Sequence, residues 1–285
     1  MRSISRASAA TVCPFLFLAG MAHAQQSSAT HPQAFPKVTI AGSEVRMMKS
    51  TSTGRDNDLY IHLPSNYAQE KTRKYPVLYI LDGQWDFKLM DSVLGGLVYD
   101  KFAPEMIMVG LTYSGDNADY GTLRAMDYTP TADPHVKGSG NAPNFLKFLK
   151  TELIPFIEAN YRADPAHRVL QGSSYAGLFT LYALFADPVL FSGYMSASPA
   201  VPFGDNYVFK QEAEYARTHK ELPVRLFLAV GGSEGLTAPV KEFMRIVQSR
   251  GYKGLRLETR VIEGERHAGN KPETFNRGLR YLFAD

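Results

Sequence analysis

A serine hydroxyl attacks a carbonyl only when a base takes its proton and donors receive the charge that forms on the substrate oxygen. One stretch of this sequence has residue types suited to that chemistry. Residues 168 to 185 read RVLQGSSYAGLFTLYALF. The apolar pair Val169-Leu170 leads to Gly172, then come Ser173, Ser174, Tyr175, Ala176 and Gly177, and apolar residues continue to Ala186. The pattern predicts a strand, a sharp turn and a helix. Centred on Ser174 it reads Gly-x-Ser-x-Ala-Gly, close to a nucleophile elbow with alanine in place of its second glycine. A strained turn of that kind leaves no room for bulk two positions either side, and Gly172 and Ala176 supply none. It would hold the Ser174 hydroxyl at a helix N-terminus, where negative charge is favoured. A buried helix with a Gly-Ser cap is the plain alternative for the same letters.

The rest of the chain must then supply a base, an acid and oxyanion donors. Outside the first two dozen residues the histidines are His31, His62, His135, His167, His219 and His267. Only His267 follows the last predicted strand, where the order serine, acid, histidine places the base. Glu234 follows the run Val224 to Val230 and is the expected acid, which would orient the imidazole and stabilise its charged form. Glu263, Glu265 and Asp205 are alternatives, and a Ser174–His267 dyad without an acid is another. The oxyanion donors are expected to be the backbone N–H groups of Tyr175, directly after the nucleophile, and of Gln84, in the turn after Tyr75 to Leu81. The simpler role for that turn is a helix cap at Asp82.

These positions need elements to hold them. Strands are predicted at 43–50 and 58–63 around a turn at 53–57, then at 75–81, 106–111, 168–172, 190–196, 224–230 and 255–262. Helices are predicted at 86–99, 144–161, 175–186, 206–220, 238–251 and 272–283. Phe145, Leu149, Leu153 and Ile157 mark the second helix by their spacing of four, and Pro155 is expected to bend it. YPVLYIL at 75–81 is a continuous apolar run, as expected for a strand covered on both faces. Alternating strands and helices imply an α/β fold with a mainly parallel sheet and helices on both faces. Sites in such sheets lie beyond the carboxyl ends of strands, where Ser174, Gln84, Glu234 and His267 all fall. Residues 113–140 show no apolar period and read as a long loop. Its Tyr120, Arg124 and Tyr128, with Trp85 beside the oxyanion turn, are expected to line the substrate pocket. An ion-pair role is the alternative for Arg124.

The first 24 residues carry Arg2 and Arg6, an apolar run around Pro14 to Met21, and Ala22-His23-Ala24. They read as a secretory signal peptide cut after Ala24, which implies a periplasmic or secreted protein. Residues 25–36 are polar and read as a disordered leader, and residues 37–285 as a single α/β domain. No segment is long and apolar enough for a membrane span. The single cysteine, Cys13, lies in the signal, so the mature chain has no disulfide and no thiol nucleophile. No two histidines have metal-ligand spacing, and no cofactor is implied. A net charge of +3, part of it in the signal, is too balanced for a nucleic-acid partner.

Six segments together resemble the α/β-hydrolase "putative esterase" family, which includes esterase D, the enterochelin esterases and related feruloyl and acetylxylan esterases. They are YPVLYILDGQ (75–84), the Asp127-Tyr128-Thr129-Pro130 run, residues 145–185, FSGYMSASPA (191–200), LFLAVGGSEG (226–235) and EGERHAGNKPETFNRGLRYLF (263–283). The similarity is greatest to the branch of periplasmic siderophore trilactone esterases. It implies an α/β-hydrolase fold and hydrolysis of a small carboxylic ester through an acyl-enzyme. In that branch the elbow usually has His before the nucleophile and Gly two after it; here Ser173 and Ala176 stand there. The branch often has Arg-x-Arg-Asp, whereas this chain has Arg124-Ala125-Met126-Asp127, which argues against a highly anionic substrate. An acyltransferase or peptidase on the same scaffold, or a ligand-binding member without catalysis, are the competing readings.

Overall fold

Strands buried on both faces sit in the middle of a sheet, and strands with alternating burial lie toward its edges. The computed structural model, which describes residues 38–284, follows this rule. β2 (Asp56–His62) alternates between exposed or half-buried and buried residues, whereas β4 (Ile107–Tyr113) is buried throughout. β1 is Ser43–Lys49, β3 Tyr75–Ile80, β5 Ala163–Ser173, β6 Gly193–Ala197, β7 Arg225–Gly231 and β8 Arg256–Ile262. They form one eight-stranded sheet in the order β1-β2-β4-β3-β5-β6-β7-β8. β1 pairs antiparallel with β2, and β2 with β4, while every other pairing is parallel. The parallel part therefore delivers the carboxyl ends of β3 to β8 to one rim.

Alternation along β3 feeds two cores. Leu78 and Ile80 pack with Phe87, Met90, Phe275 and Leu279, which come from α1 (Gly83–Tyr99) and α8 (Lys271–Leu282). Val77, Tyr79 and Leu81 belong to the opposite core. That core also takes Phe145 and Phe148 of α3 (Ala142–Phe148), Leu178 and Phe179 of α5 (Tyr175–Ala186) and Phe243 of α7 (Thr237–Arg250).

Three stretches depart from the sequence expectation. The expected loop contains a helix, α2 (Tyr120–Tyr128), started by Asp119, whose side chain accepts the Thr122 N–H at 3.1 Å. Its buried residues are Ala125, Asp127 and Tyr128, and Asp127 is paired with Arg55. A face built on a paired carboxylate leaves no hydrophobic period to read. The helix expected over 144–161 is α3, a π-turn at Leu149–Leu153 and α4 (Ile154–Asn160). The ladder shifts there, the Ile154 N–H bonding Leu149 O, and Pro155 follows directly in the first turn of α4. α6 (Phe203–Thr218) opens with left-handed backbone at Gly204, Asp205 and Asn206 before the regular helix. Among the described residues no helix is long and apolar enough to cross a membrane. The expected signal peptide and leader lie outside the described residues.

Candidate active site

β5 ends at Ser173 and α5 begins at Tyr175, so Ser174 makes the whole turn. Its backbone sits at φ 63°, ψ −119°, a region that side chains other than glycine rarely occupy. Three backbone bonds hold it there. The Ser174 N–H donates to Ala197 O at 2.9 Å, and Ser174 O accepts from Leu178 N at 2.9 Å and Ala200 N at 3.2 Å. The helix leaves the strand so steeply that a Cβ on Gly172 would collide with the Ala176 carbonyl and lie 2.7 Å from Thr180 Oγ1. That is the physical reason for the small residues around Ser174. Tyr175 is the first residue of α5, so its N–H has no acceptor within the helix.

A second strained turn faces the elbow. Asp82 adopts φ 57°, ψ 41° at the end of β3, and α1 starts at Gly83. A Cβ on Gly83 would lie 2.8 Å from the carbonyl carbon of Gly110, so the turn is pressed onto β4. Asp82 heads the helix through its carbonyl, which accepts the N–H groups of Trp85 and Asp86 at 2.9 and 3.0 Å. Its side chain makes no cap bond, unlike the expected Asp82 cap. It is taken instead by Arg124, in a two-point pair at 2.6 and 2.8 Å. The Gln84 N–H is left in the first turn of α1 without a helical partner. The side-chain amide of Gln84 is also buried without a partner among the described residues.

The acid and the base come together. His267 Nδ1 lies 2.5 Å from Glu234 Oε2. A carboxylate can only accept, so the bond holds the ring hydrogen on Nδ1 and leaves Nε2 free to take a proton. Glu234 is itself fixed: Oε1 accepts from Ser198 Oγ at 2.5 Å and from the Gly231 N–H at 2.7 Å. Asn270 is fully buried. Its Nδ2 donates to Ser198 Oγ at 2.9 Å and to His267 O at 2.8 Å. The elbow connects to this assembly through the end of β6. Ala197 receives the Ser174 N–H, and the next residue, Ser198, holds Glu234. A direct bond between the Ser174 hydroxyl and the His267 ring is not among those formed by the described residues, and such bonds often tighten only around substrate.

Four of the other histidines and carboxylates considered are engaged elsewhere. His62 pairs with Asp91, His167 with Asp164, and the His219 ring stacks on Tyr215. Asp205 is exposed and pairs with Lys210. Of the expected pocket residues, Trp85 is 46% exposed and its ring centre lies 5.6 Å from that of Tyr120. The Arg124 guanidinium stands over the rings of Trp85 at 5.1 Å and Tyr175 at 5.9 Å. Its charge is already balanced by Asp82, so the ion-pair role holds for Arg124. Burial raises the pKa of Asp82 above its ordinary value, and the Arg124 charge opposes that shift. Desolvation works against the Arg124 charge, but Asp82 outweighs it and the guanidinium pKa is raised. Tyr128 departs from the expectation that it lines the pocket. It is 1% exposed, packs on Phe145 and Phe179, and its hydroxyl accepts the Asp82 N–H at 3.4 Å. Burial raises its pKa and that of Tyr113. The sequence alone does not mark Ser198 and Asn270 as site residues. Their one signal was position, just past the end of β6 and just before α8.

The sheet order, the strand–turn–helix elbow and the histidine–carboxylate pair at the same rim define an α/β-hydrolase fold. Known proteins narrow the class. The chain is 27% identical over 263 residues to the ferri-bacillibactin esterase BesA of Bacillus subtilis (strain 168), covering 85% of this chain and 90% of that one. It superposes on the BES protein from Bacillus cereus with a TM-score of 0.79 and 26% identity, covering 88% and 98% of the two chains. An IroE-like serine hydrolase from Shewanella oneidensis gives a TM-score of 0.75 and 27% identity, covering 85% and 80%. The family model described as "Putative esterase" matches residues 50–276. The chain belongs to that esterase family and is an ester hydrolase.

Proposed function

We propose that this ester hydrolase works through a serine acyl-enzyme. Ser174 Oγ attacks the ester carbonyl as His267 Nε2 takes its proton. The N–H groups of Tyr175 and Gln84 receive the charge on the carbonyl oxygen. The imidazolium, steadied by Glu234, then protonates the departing alcohol. Water, activated by the same imidazole, releases the acid and restores Ser174. The observation that carries this reading is the Glu234–His267 contact of 2.5 Å, assembled at the rim where Ser174 occupies a strained turn.

For the substrate we propose a siderophore-type or other aromatic ester. Trp85 and Tyr175 flank a guanidinium whose charge is spent on Asp82, and the Tyr120 ring packs on Trp85. Such a wall favours a flat ring over a cluster of negative charges. The ferri-bacillibactin esterase named above supports the same class. The N-terminal signal pattern supports a periplasmic or secreted location, with cleavage after Ala24.

The test is hydrolysis of a short p-nitrophenyl ester by wild type, Ser174→Ala and His267→Ala. Both variants should lose nearly all turnover while keeping the wild-type melting temperature. Undiminished turnover by the serine variant would reject the mechanism. A panel of catecholate trilactones, feruloyl and acetyl sugars and simple acyl esters then ranks substrates by kcat/KM.

A further inference from the structure

The groups assigned to the reaction sit on four separate segments: the turn that opens α1, the end of β5, the loop after β7 and the loop before α8. One buried carboxylate is carried by the first, bonded to the second and ion-paired with the residue that opens α8, directly after the fourth. Asp86 lies two residues after Gln84 in the first turn of α1 and is 1% exposed. Its Oδ1 accepts from Lys271 Nζ at 2.6 Å. Its Oδ2 accepts from the Ser173 hydroxyl at 3.3 Å and, more weakly, from Gln171 Nε2 at 3.5 Å. Ser173 directly precedes the nucleophile. Lys271 begins α8 directly after Asn270, the residue that bonds the His267 carbonyl.

Stability alone does not account for this arrangement. Well-packed apolar residues in place of a buried ion pair are often as stable or more so. Apolar packing, however, has no preferred direction. An ion pair with a hydrogen-bonded hydroxyl does, and this one ties the oxyanion turn to the end of β5 and to the start of α8, next to the base loop. The neighbouring Asp82–Arg124 pair joins the residue just before α1, four positions ahead of Asp86, to α2. Burial chiefly raises the Asp82 pKa; the Asp86 charge adds to the shift, while Arg124 and Lys271 oppose it. Two carboxylates and two cations therefore bracket the residue that offers the Gln84 N–H.

We propose that Asp86, held by Lys271 and Ser173, is a positioning residue that sets the oxyanion turn, the nucleophile and the base loop in one frame. The inference rests on the serine acyl-enzyme reading. Its experiment compares wild type, Lys271→Met, Lys271→Arg and the apolar double variant Asp86→Leu with Lys271→Met. Competent sites are counted by stoichiometric fluorophosphonate labelling, and kcat, KM and melting temperature are measured for each. Lys271→Met should lower kcat per labelled site by about 10- to 100-fold, the scale of a misplacement near 1 Å. KM should stay within about twofold, and Lys271→Arg should recover most of the loss. The double variant leaves no buried charge unpaired, so it should fold well yet keep the low kcat. Full kcat per site in the folded double variant, or in Lys271→Met, would overturn the inference while leaving the serine mechanism standing. A wild-type protein that neither labels nor turns over would overturn both.

Discussion

Glu234→Gln exchanges one oxygen for an amide nitrogen with almost no change in size, and the structure dictates which oxygen is lost. Oε1 receives two hydrogens, from the Gly231 N–H at 2.7 Å and the Ser198 hydroxyl at 2.5 Å. Oε2 faces only His267 Nδ1, at 2.5 Å. A glutamine NH2 in the first place would oppose the fixed Gly231 N–H, so its carbonyl must stay there. The NH2 then points at His267 Nδ1 and donates to it. The ring hydrogen moves to Nε2, the atom that has to accept the Ser174 proton. In a Ser-His-acid site a wrong tautomer costs about 10⁴ in kcat. His267 has 45% of its side chain exposed, so the ring can turn toward solvent and recover part of the loss. We expect a fall of about 10³- to 10⁴-fold, or about 4 to 5.5 kcal/mol of barrier. Two of the three hydrogen bonds survive unchanged and the third only reverses its direction, so the melting temperature should barely move. Stopped-flow hydrolysis of a p-nitrophenyl ester, normalised to labelled sites, gives the number. A kcat within about tenfold of wild type would show that His267 works without Glu234, as in a dyad.

Two other substitutions probe the elbow and the pocket. Gly172→Ala drives a methyl group into the Ala176 backbone, which cannot swing aside. Overpacking of this kind costs about 1–3 kcal/mol, so both the melting temperature and the labelling rate of Ser174 should fall. Trp85→Ala removes a half-exposed ring that makes no bond to the proposed catalytic groups. KM for an aromatic ester should rise about 2- to 10-fold, with kcat and the KM for an acetyl ester unchanged. An equal loss on both esters would remove Trp85 from the pocket.

Much of this molecule could be read from its letters because the requirements are local. The tight turn at Ser174 demands small residues within two positions, and Gly172 and Ala176 state that demand directly. YPVLYIL declares a strand buried on both faces, and a parallel sheet then carries the loops bearing Gln84, Ser174, Glu234 and His267 to one rim. Tertiary structure alone decided which polar groups meet. Arg124 grips Asp82 from 42 residues away, Ser198 reaches Glu234 across 36, and Lys271 reaches Asp86 across 185. It also decided that Tyr128 belongs to the core and that 120–128 forms a helix. Hydrophobic periodicity reports which face of an element is covered, whereas a buried ion pair depends on two distant segments arriving together, and neither segment carries a local mark of its partner.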